Sequence, residues 1–332
     1  MIIAWMLYAI AIGVLVAGAA VAGEQMALRN RRATRRVWTL AIGAGAALPV
    51  VGVLLKDAPA AREVDGLLTV ASPVTGVVME GVTSLASLDS IVLWSWAAVS
   101  AVLGTVLAVS LVSDWLRCRR LPRAEFDGVS VLLTEDVGPA VTGFARARIL
   151  LPAWAAEAPP EERSMILRHE QEHVTAGDQR LVAFAAAIVV AMPWNPASWF
   201  LARRLQLSIE VDCDRRVMEA DQVDTRSYAE LLLAVGTRRA VPAGPAYGMG
   251  FSLGRPFLES RIDRMTARPA EARWSTNALT LLAVGGVLCA AWALPQPVRA
   301  ADIGSAAYSM DCPLENTAPV TQALIDGILG AT

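Results

Sequence analysis

The most informative part of this 332-residue chain is residues 160–180, PEERSMILRHEQEHVTAGDQR. It begins with a proline and two glutamates, which are typical of the first turn of a helix. The predicted helix continues from Arg163 to Ala176 and carries His169 and His173, the two histidines of the chain. Because residues four apart lie on one helical face, both imidazoles are able to reach one metal ion. The sequence therefore predicts a metal site on this helix.

The sequence from His169 to His173 has the pattern HExxH, which is typical of zinc peptidases. Zinc suits two imidazoles, each of which binds it at about 2.0–2.1 Å. Glu170 follows the first histidine and lies near the open metal position, where a carboxylate takes a proton from water and passes it to a leaving amine. The pattern thus predicts peptide-bond hydrolysis. The alternative is a solvated helix with two ordinary histidines.

A catalytic zinc site needs a third protein ligand besides the two histidines, and it keeps a fourth position open. Because the chain has no further histidine, the third ligand must be a carboxylate or a cysteine. Glu210 is the best candidate, on a helix predicted from Ala197 to Met218. Asp212 and Cys213 are alternatives, although the helical register points them elsewhere.

Two aspartates are predicted to hold the imidazole N–H groups and so to fix the tautomer of each ligand. Asp214 lies one helical turn after Glu210, and Asp178 follows His173 by five residues. Tyr228, at the start of an apolar helical stretch, is an alternative as an oxyanion donor but is more typical of a core residue. The sequence from Arg261 to Met265 is interpreted as a basic amphipathic turn near the inner membrane face.

The composition predicts a membrane protein, since 55% of the residues are hydrophobic, 18% are charged and the mean hydropathy is +0.46. A helix of about 20 apolar residues spans the hydrocarbon core. Four uncharged runs have such a length, and a shorter apolar run, Leu181 to Met192, is interpreted as a buried or membrane-abutting helix. The four predicted spans are Met1 to Gly23, Val37 to Leu55, Ser90 to Ser113 and Ala278 to Leu294.

The distribution of arginines beside the spans predicts the orientation in the inner membrane. The first connection carries five arginines and is placed inside, whereas the second is acidic and is placed outside. Arginines after the third span place residues 114–277 in the cytoplasm, and the first span is interpreted as a retained anchor rather than a signal peptide. The arginines used are Arg29, Arg31, Arg32, Arg35, Arg36, Arg117, Arg119, Arg120 and Arg123.

The predicted organisation has four parts: residues 1–113 with three spans, 114–277 as a cytoplasmic α+β domain, 278–294 as the fourth span and 295–332 as a short outer tail. Two strand-like segments, Val129 to Leu133 and Ile149 to Leu151, supply the β part. The charge balance of 29 basic and 31 acidic residues argues against direct binding of nucleic acid. Membrane lipids are an expected partner, and a homodimer is left open.

Together these features resemble the BlaR/MecR-type membrane zinc metallopeptidases, a gluzincin group. The resemblance covers the chain up to about residue 295. It implies a mainly α membrane protein with a gluzincin-type domain, with one zinc ion per chain held by His169, His173 and Glu210, and with Glu170 as the base. It also implies that the strand from Arg146 to Leu151 pairs with an extended substrate. The segments that carry it are residues 142–152, 169–178, 193–196 and 210–214.

One feature of that group is not expected here. Its sensing members carry an outer penicillin-binding domain with a serine and a lysine three residues apart. The predicted tail, 295–332, is too short for such a domain. The sole lysine is Lys56, and Val53 occupies the position where the serine would stand. Sensing of a β-lactam by acylation of this chain is therefore not expected.

The leading hypothesis is a membrane-bound zinc endopeptidase that cuts a cytoplasmic protein, such as a transcriptional repressor or itself, in a signalling role. An intramembrane protease is disfavoured, because charged residues surround the HExxH pattern and are costly at membrane depth. A non-catalytic membrane signalling scaffold with a structural zinc site is the alternative from another class. It needs the metal ligands but not Glu170.

Overall fold

The computed structural model describes residues 2–56, 88–135, 137–144, 146–221, 224–237, 255–266 and 274–293. The predicted tail, 295–332, lies outside the described residues. The helices are α1 Ile2–Arg29, α2 Arg35–Lys56, α3 Asp89–Arg120, α4 Ala153–Ala156, α5 Pro160–Ala176, α6 Asp178–Ala191, α7 Pro196–Asp221, α8 Thr225–Thr237, α9 Arg255–Thr266 and α10 Trp274–Ala293. The strands are β1 Arg123–Phe126, β2 Val129–Thr134, β3 Ala140–Thr142 and β4 Arg148–Pro152.

Two helices in the described part of the chain, α1 and α3, are long and apolar enough to cross a membrane. The pair α5 and α6, bent by 62°, meets the same criterion only if it is taken as one broken span. The helices α2 and α10 overlap the other two predicted spans, whose crossing stays a prediction, as does the orientation. The fold is therefore mostly helical, with candidate membrane helices and a small mixed sheet.

One apolar core joins α1 and α2 to α6 and α7. Ile12 and Ile42 from the first two helices are buried together with Val189 of α6 and Leu201 of α7. The backbones of α1 and α7 approach closely at Gly13, where an added Cβ atom would lie 2.7 Å from the Cβ atom of Ala197. The predicted buried or membrane-abutting helix at 181–192 thus corresponds to most of α6, which ends at Ala191 and packs against α1 and α2.

The sheet forms a second core with the helices that carry the candidate site. Its strand order is β1-β2-β4-β3, in which β2 and β4 are parallel and the other neighbours are antiparallel. Buried side chains of β2 and β4 pack against α5 and α7, in a cluster that includes Val131, Ile149, Ile166 and Val217. The two strand-like segments of the sequence lie within β2 and β4.

The expectation that the strand from Arg146 to Leu151 pairs with a substrate is wrong. This strand, β4, is an inner strand, because β2 pairs with it over Ile149–Pro152 and β3 over Arg148–Leu150. Both backbone edges of β4 are therefore used within the sheet. In the described part of the chain the outer strands of the sheet are β1 and β3.

Candidate metal centre

The end of α5 places His173 beside the start of the next helix. Gly177 adopts a left-handed conformation, with φ of +67°, and its N–H donates to the carbonyl groups of His173 and Val174. This is the glycine cap that commonly ends a helix. The chain then turns directly into α6, so that Asp178 lies back against the last turn of α5.

The two histidines of α5 face each other through their Nε2 atoms, which are 3.1 Å apart. Glu210 of α7 lies opposite both, with Oε2 3.6 Å from Nε2 of His169 and Oε1 3.7 Å from Nε2 of His173. Ligand atoms about 2.0–2.1 Å from a zinc ion at tetrahedral angles are about 3.3 Å apart. These three groups therefore fit a zinc ion in both chemistry and spacing.

The Nδ1 atoms of both histidines face away from Glu210 and have other partners. Nδ1–H of His173 donates to Oδ2 of Asp178 at 2.9 Å. Nδ1–H of His169 donates to the hydroxyl of Tyr228 at 2.8 Å, and that hydroxyl donates to Oδ1 of Asp214 at 3.0 Å. A proton held on Nδ1 leaves the lone pair of a neutral imidazole on Nε2, the atom that faces Glu210.

These contacts show where the predicted supporting residues lie. Asp178 contacts His173 directly, whereas Asp214 reaches His169 mainly through Tyr228, since its own Oδ1 is 3.5 Å from Nδ1 of His169. Tyr228 is 1% exposed, and its hydroxyl is engaged by both partners. Its hydroxyl therefore holds the imidazole of His169 in place rather than offering a free donor to an oxyanion.

The alternative ligand Asp212 lies away from the histidines. Its carboxylate accepts hydrogen bonds from the backbone N–H groups of Thr34 and Arg35, at 3.1 and 2.9 Å, and from the hydroxyl of Thr34. It thereby satisfies N–H groups at the amino terminus of α2. This position rules Asp212 out as a ligand of the site.

The other alternative, Cys213, does lie near the histidines. One ligand atom each from His169, His173 and Cys213 lies within 4.8 Å of the others. The sulfur, however, is 3.5 Å from Nδ1 of His169 and 3.4 Å from the carbonyl oxygen of the same residue. Its contact with this imidazole is therefore with Nδ1. We therefore favour Glu210, whose oxygens face both Nε2 atoms.

A residue that the sequence analysis did not assign to the site, Arg261 of α9, completes the cluster. Its Nε and NH2 groups donate to the two oxygens of Asp214 at 2.8 and 2.6 Å, and its NH1 group lies 3.0 Å from Oε2 of Glu210. The interpretation of residues 261–265 as a basic amphipathic turn is wrong, because they belong to a helix and Arg261 is buried. An isolated arginine 51 positions after Glu210 gives no local signal of this contact.

The electrostatics of the pocket favour a cation. Burial acts to lower the pKa of His169, but the negative charge of Cys213 and the hydrogen bonds to Cys213 and Glu210 outweigh it and raise this pKa to about 10. Burial alone would raise the pKa of Glu210, yet Arg261 and the imidazoles hold it below its usual range. Burial raises the pKa of Glu170, which is 6% exposed on the same helix as the histidines. A buried carboxyl of this kind is typical of a general base.

Comparison with known proteins identifies the class. Residues 80–263, more than half of the chain, match the family described as BlaR1 peptidase M56, and the chain therefore belongs to this family of metallopeptidases. The matched region contains every candidate site residue from His169 to Arg261. The predicted resemblance to the BlaR/MecR-type family is confirmed.

A curated relative is the Regulatory protein BlaR1 of Bacillus licheniformis, which is 24% identical over 155 residues. The aligned part covers 45% of this chain and 26% of that relative. The chain thus matches about a quarter of the relative's length. Family membership and the candidate membrane helices together indicate a membrane protein with a peptidase domain.

Proposed function

We propose that this protein is a membrane-bound zinc endopeptidase that cuts a cytoplasmic protein as a step in signal transduction. The observation that carries the proposal is the convergence of both Nε2 atoms and the Glu210 carboxylate on one point, with separations of 3.1, 3.6 and 3.7 Å. Family membership supports the same reaction class.

In this proposal His169, His173 and Glu210 hold one zinc ion. When bound, zinc polarises the scissile carbonyl and lowers the pKa of water, which makes hydrolysis possible at neutral pH. Glu170 accepts the proton of the attacking water and donates it to the leaving amine. Its burial favours this exchange, because a raised pKa brings the carboxyl closer to the working pH.

Asp178 and the Tyr228–Asp214 pair keep the two imidazoles in the tautomer that binds metal. Both act through the Nδ1 atoms, at 2.9 Å for Asp178 and 2.8 Å for Tyr228. Such partners orient the ring and make the ligand nitrogen more basic, so that it donates its electron pair to the metal more readily. They do not contact the proposed zinc position themselves.

An extended substrate is expected to pair with β3 rather than β4. The edge of β3 that faces away from β4 is an outer edge of the sheet in the described part of the chain. Strand addition to such an edge binds a peptide through main-chain hydrogen bonds and is independent of most side chains. We therefore expect an unfolded or looped segment as the substrate.

The arginines beside the spans support a multi-pass protein of the inner membrane whose peptidase domain, residues 114–277, is in the cytoplasm. The substrate is then a cytoplasmic protein, for which a transcriptional repressor or the chain itself are candidates. The curated relative is described as a regulatory protein, which supports a signalling role. Lipids surround the spans, a homodimer remains open, and direct binding of nucleic acid is not part of the proposal.

A second candidate function is a non-catalytic signalling scaffold in which zinc is structural. The observation that favours it is the position of Cys213 near both histidines. A cysteine ligand added to His169, His173 and Glu210 would fill all four positions, and a closed site leaves none for a substrate. The contact of the sulfur with Nδ1 of His169 weighs against this candidate.

The test uses the full-length protein in detergent, with zinc content and cleavage of itself and of casein as readouts. Glu170→Gln is expected to keep zinc and to lose cleavage by about 100-fold or more. His173→Ala is expected to lose both. The matched control is Glu161→Gln, the same change at an exposed position of α5, which is expected to alter neither. Absence of zinc from the wild-type protein would contradict the proposal, and zinc without cleavage would favour the scaffold.

A further inference from the structure

We propose that Arg261 is the positioning residue of this site: it fixes the carboxylate of Glu210 for metal binding and, through Asp214, supports His169. The inference rests on the proposed zinc site and goes beyond it, since Arg261 itself contacts neither the metal position nor the substrate. One side chain from α9 would thereby help to hold two of the three proposed ligands, Glu210 and His169, in position.

The guanidinium of Arg261 binds two carboxylates, those of Asp214 and Glu210. Its Nε and NH2 groups bind the two oxygens of Asp214 at 2.8 and 2.6 Å, and its NH1 group binds Oε2 of Glu210 at 3.0 Å. A planar guanidinium offers donors in a fixed fork, so one such pair sets the plane of the arginine and hence the direction of its third nitrogen. A lysine has no equivalent geometry.

This arrangement leaves Glu210 with two differently placed oxygens. Oε2 is bound by Arg261 and lies 3.6 Å from Nε2 of His169, whereas Oε1 lies 3.7 Å from Nε2 of His173. A carboxylate anchored through one oxygen has little freedom to rotate its other oxygen away from the imidazoles. We infer that Arg261 holds the ligand in place before the metal arrives, which is the role that supporting residues have in metal sites.

Arg261 is also linked to His169, through Asp214 and Tyr228. Asp214 is fully buried, accepts the Tyr228 hydroxyl at 3.0 Å and receives both donors of Arg261. Tyr228 in turn accepts the Nδ1 proton of His169 at 2.8 Å. Without Arg261, the buried carboxylate of Asp214 and the partly buried carboxylate of Glu210 would lose their shared positive charge, and removal of one partner of a buried ion pair is strongly unfavourable.

The position of α9 is fixed from outside the site. Arg264, one turn after Arg261, donates to Oε1 of Glu24 at 2.8 Å, and Glu24 is a buried residue of α1. The side chain of Glu24 also accepts a hydrogen bond from Arg204 of α7. Arg261 and Arg264 thus have separate partners, and Arg264 supplies a matched control on the same helix.

The test measures metal binding by the full-length protein in detergent, with Zn²⁺ affinity from competition with a chelator and the visible absorption of bound Co²⁺ as a report of ligand geometry. Arg261→Gln is expected to lower zinc affinity by about 10- to 100-fold and to change the Co²⁺ spectrum. Arg261→Lys is expected to recover part of the affinity, because charge returns without the fork. Arg264→Gln is expected to lower thermal stability but to leave the Co²⁺ spectrum unchanged.

If Arg261→Gln does not fold, the double variant Asp214→Asn with Arg261→Gln removes both charges of the buried pair, and the same loss of affinity is expected. Wild-type affinity and spectrum in either variant would overturn the role of Arg261 while leaving the proposed peptidase intact. Failure of the wild-type protein to bind zinc or cobalt would overturn both.

Discussion

The guanidinium of Arg35 lies 2.7 Å from Oδ1 of Asp178, joining the start of α2 to the start of α6. The other oxygen of the same carboxylate holds Nδ1 of His173 at 2.9 Å. His173, a candidate metal ligand, is therefore linked through Asp178 to Arg35 at the start of α2. This link brings an arginine that the sequence analysis used only for membrane orientation into the surroundings of the site.

Asp178→Asn is expected to weaken zinc binding by about 10- to 100-fold, because the amide holds the Nδ1 proton of His173 less strongly than a carboxylate does. Loss of the charge also leaves Arg35 without its anionic partner. Chelator competition on the full-length protein measures the affinity. Asp127→Asn, at a half-exposed aspartate that is 3.8 Å from Arg163, is the control and should bind zinc as the wild type does. Equal affinities in the two variants would show that Asp178 does not support the ligand.

Cys213→Ser is expected to keep one zinc ion per chain. Its sulfur faces Nδ1 of His169 and is fully buried, so the substitution should cost about 1 kcal/mol of stability without removing a ligand. Metal analysis after dialysis and thermal unfolding give the two readouts. Loss of zinc in this variant, with retention in Glu210→Gln, would reverse the choice between Cys213 and Glu210 and support a structural site.

Gly177→Ala is expected to destabilise the protein by about 1 kcal/mol, although an added Cβ atom at this position would meet nothing within 4 Å. The cost arises from the backbone, because φ is +67° and residues other than glycine resist that conformation. Gly177→Asn should cost less, since asparagine tolerates it better. Thermal unfolding in detergent provides the measurement. Gly18→Ala, in α1 and equally free of neighbours, is the control and should not destabilise.

Glu24→Gln is expected to destabilise the protein by about 3 kcal/mol, because it removes the charge of a buried carboxylate that pairs with two arginines. Those arginines, Arg204 and Arg264, come from α7 and α9, so the loss should loosen the packing of both helices on α1. Glu219→Gln removes an exposed carboxylate paired with Arg215 and should change stability by less than about 0.5 kcal/mol. Similar unfolding temperatures for the two variants would contradict the inference that Glu24 stabilises the packing of α7 and α9 on α1.

The sequence predicted the parts of the site that depend on local helix geometry. His169, Glu170 and His173 follow from spacing on a single helix, and Glu210 was chosen because the helical register favours it over Asp212. The structure brings Glu210 to the histidines and Asp212 to the start of α2. The identity of the ligands themselves remains a prediction until metal is bound.

Contacts made through tertiary packing could not be predicted in this way. Arg261 reaches Glu210 only because α9 packs on α7, and no periodicity in the sequence encodes that approach. The order of the strands likewise does not follow from the sequence pattern. The sequence predicted a free edge at β4, whereas β2 and β3 both pair with it. Residue spacing specifies a helix face or a strand, whereas the neighbour across the interface depends on the whole fold.

The contacts between the first helices and the site bear on how this protein should be prepared. A truncated chain that begins at Asp114 keeps every proposed ligand yet lacks two residues that pair with the remaining helices. Glu24 pairs with Arg204 of α7 and Arg264 of α9, and Arg35 pairs with the buried Asp178 of α6. It would also lack the N–H groups of Thr34 and Arg35 that donate to Asp212. The apolar side of α6 and α7 would be exposed to solvent. Such a fragment is expected to aggregate, so inhibitor screening or substrate profiling with the excised peptidase region would measure a damaged protein.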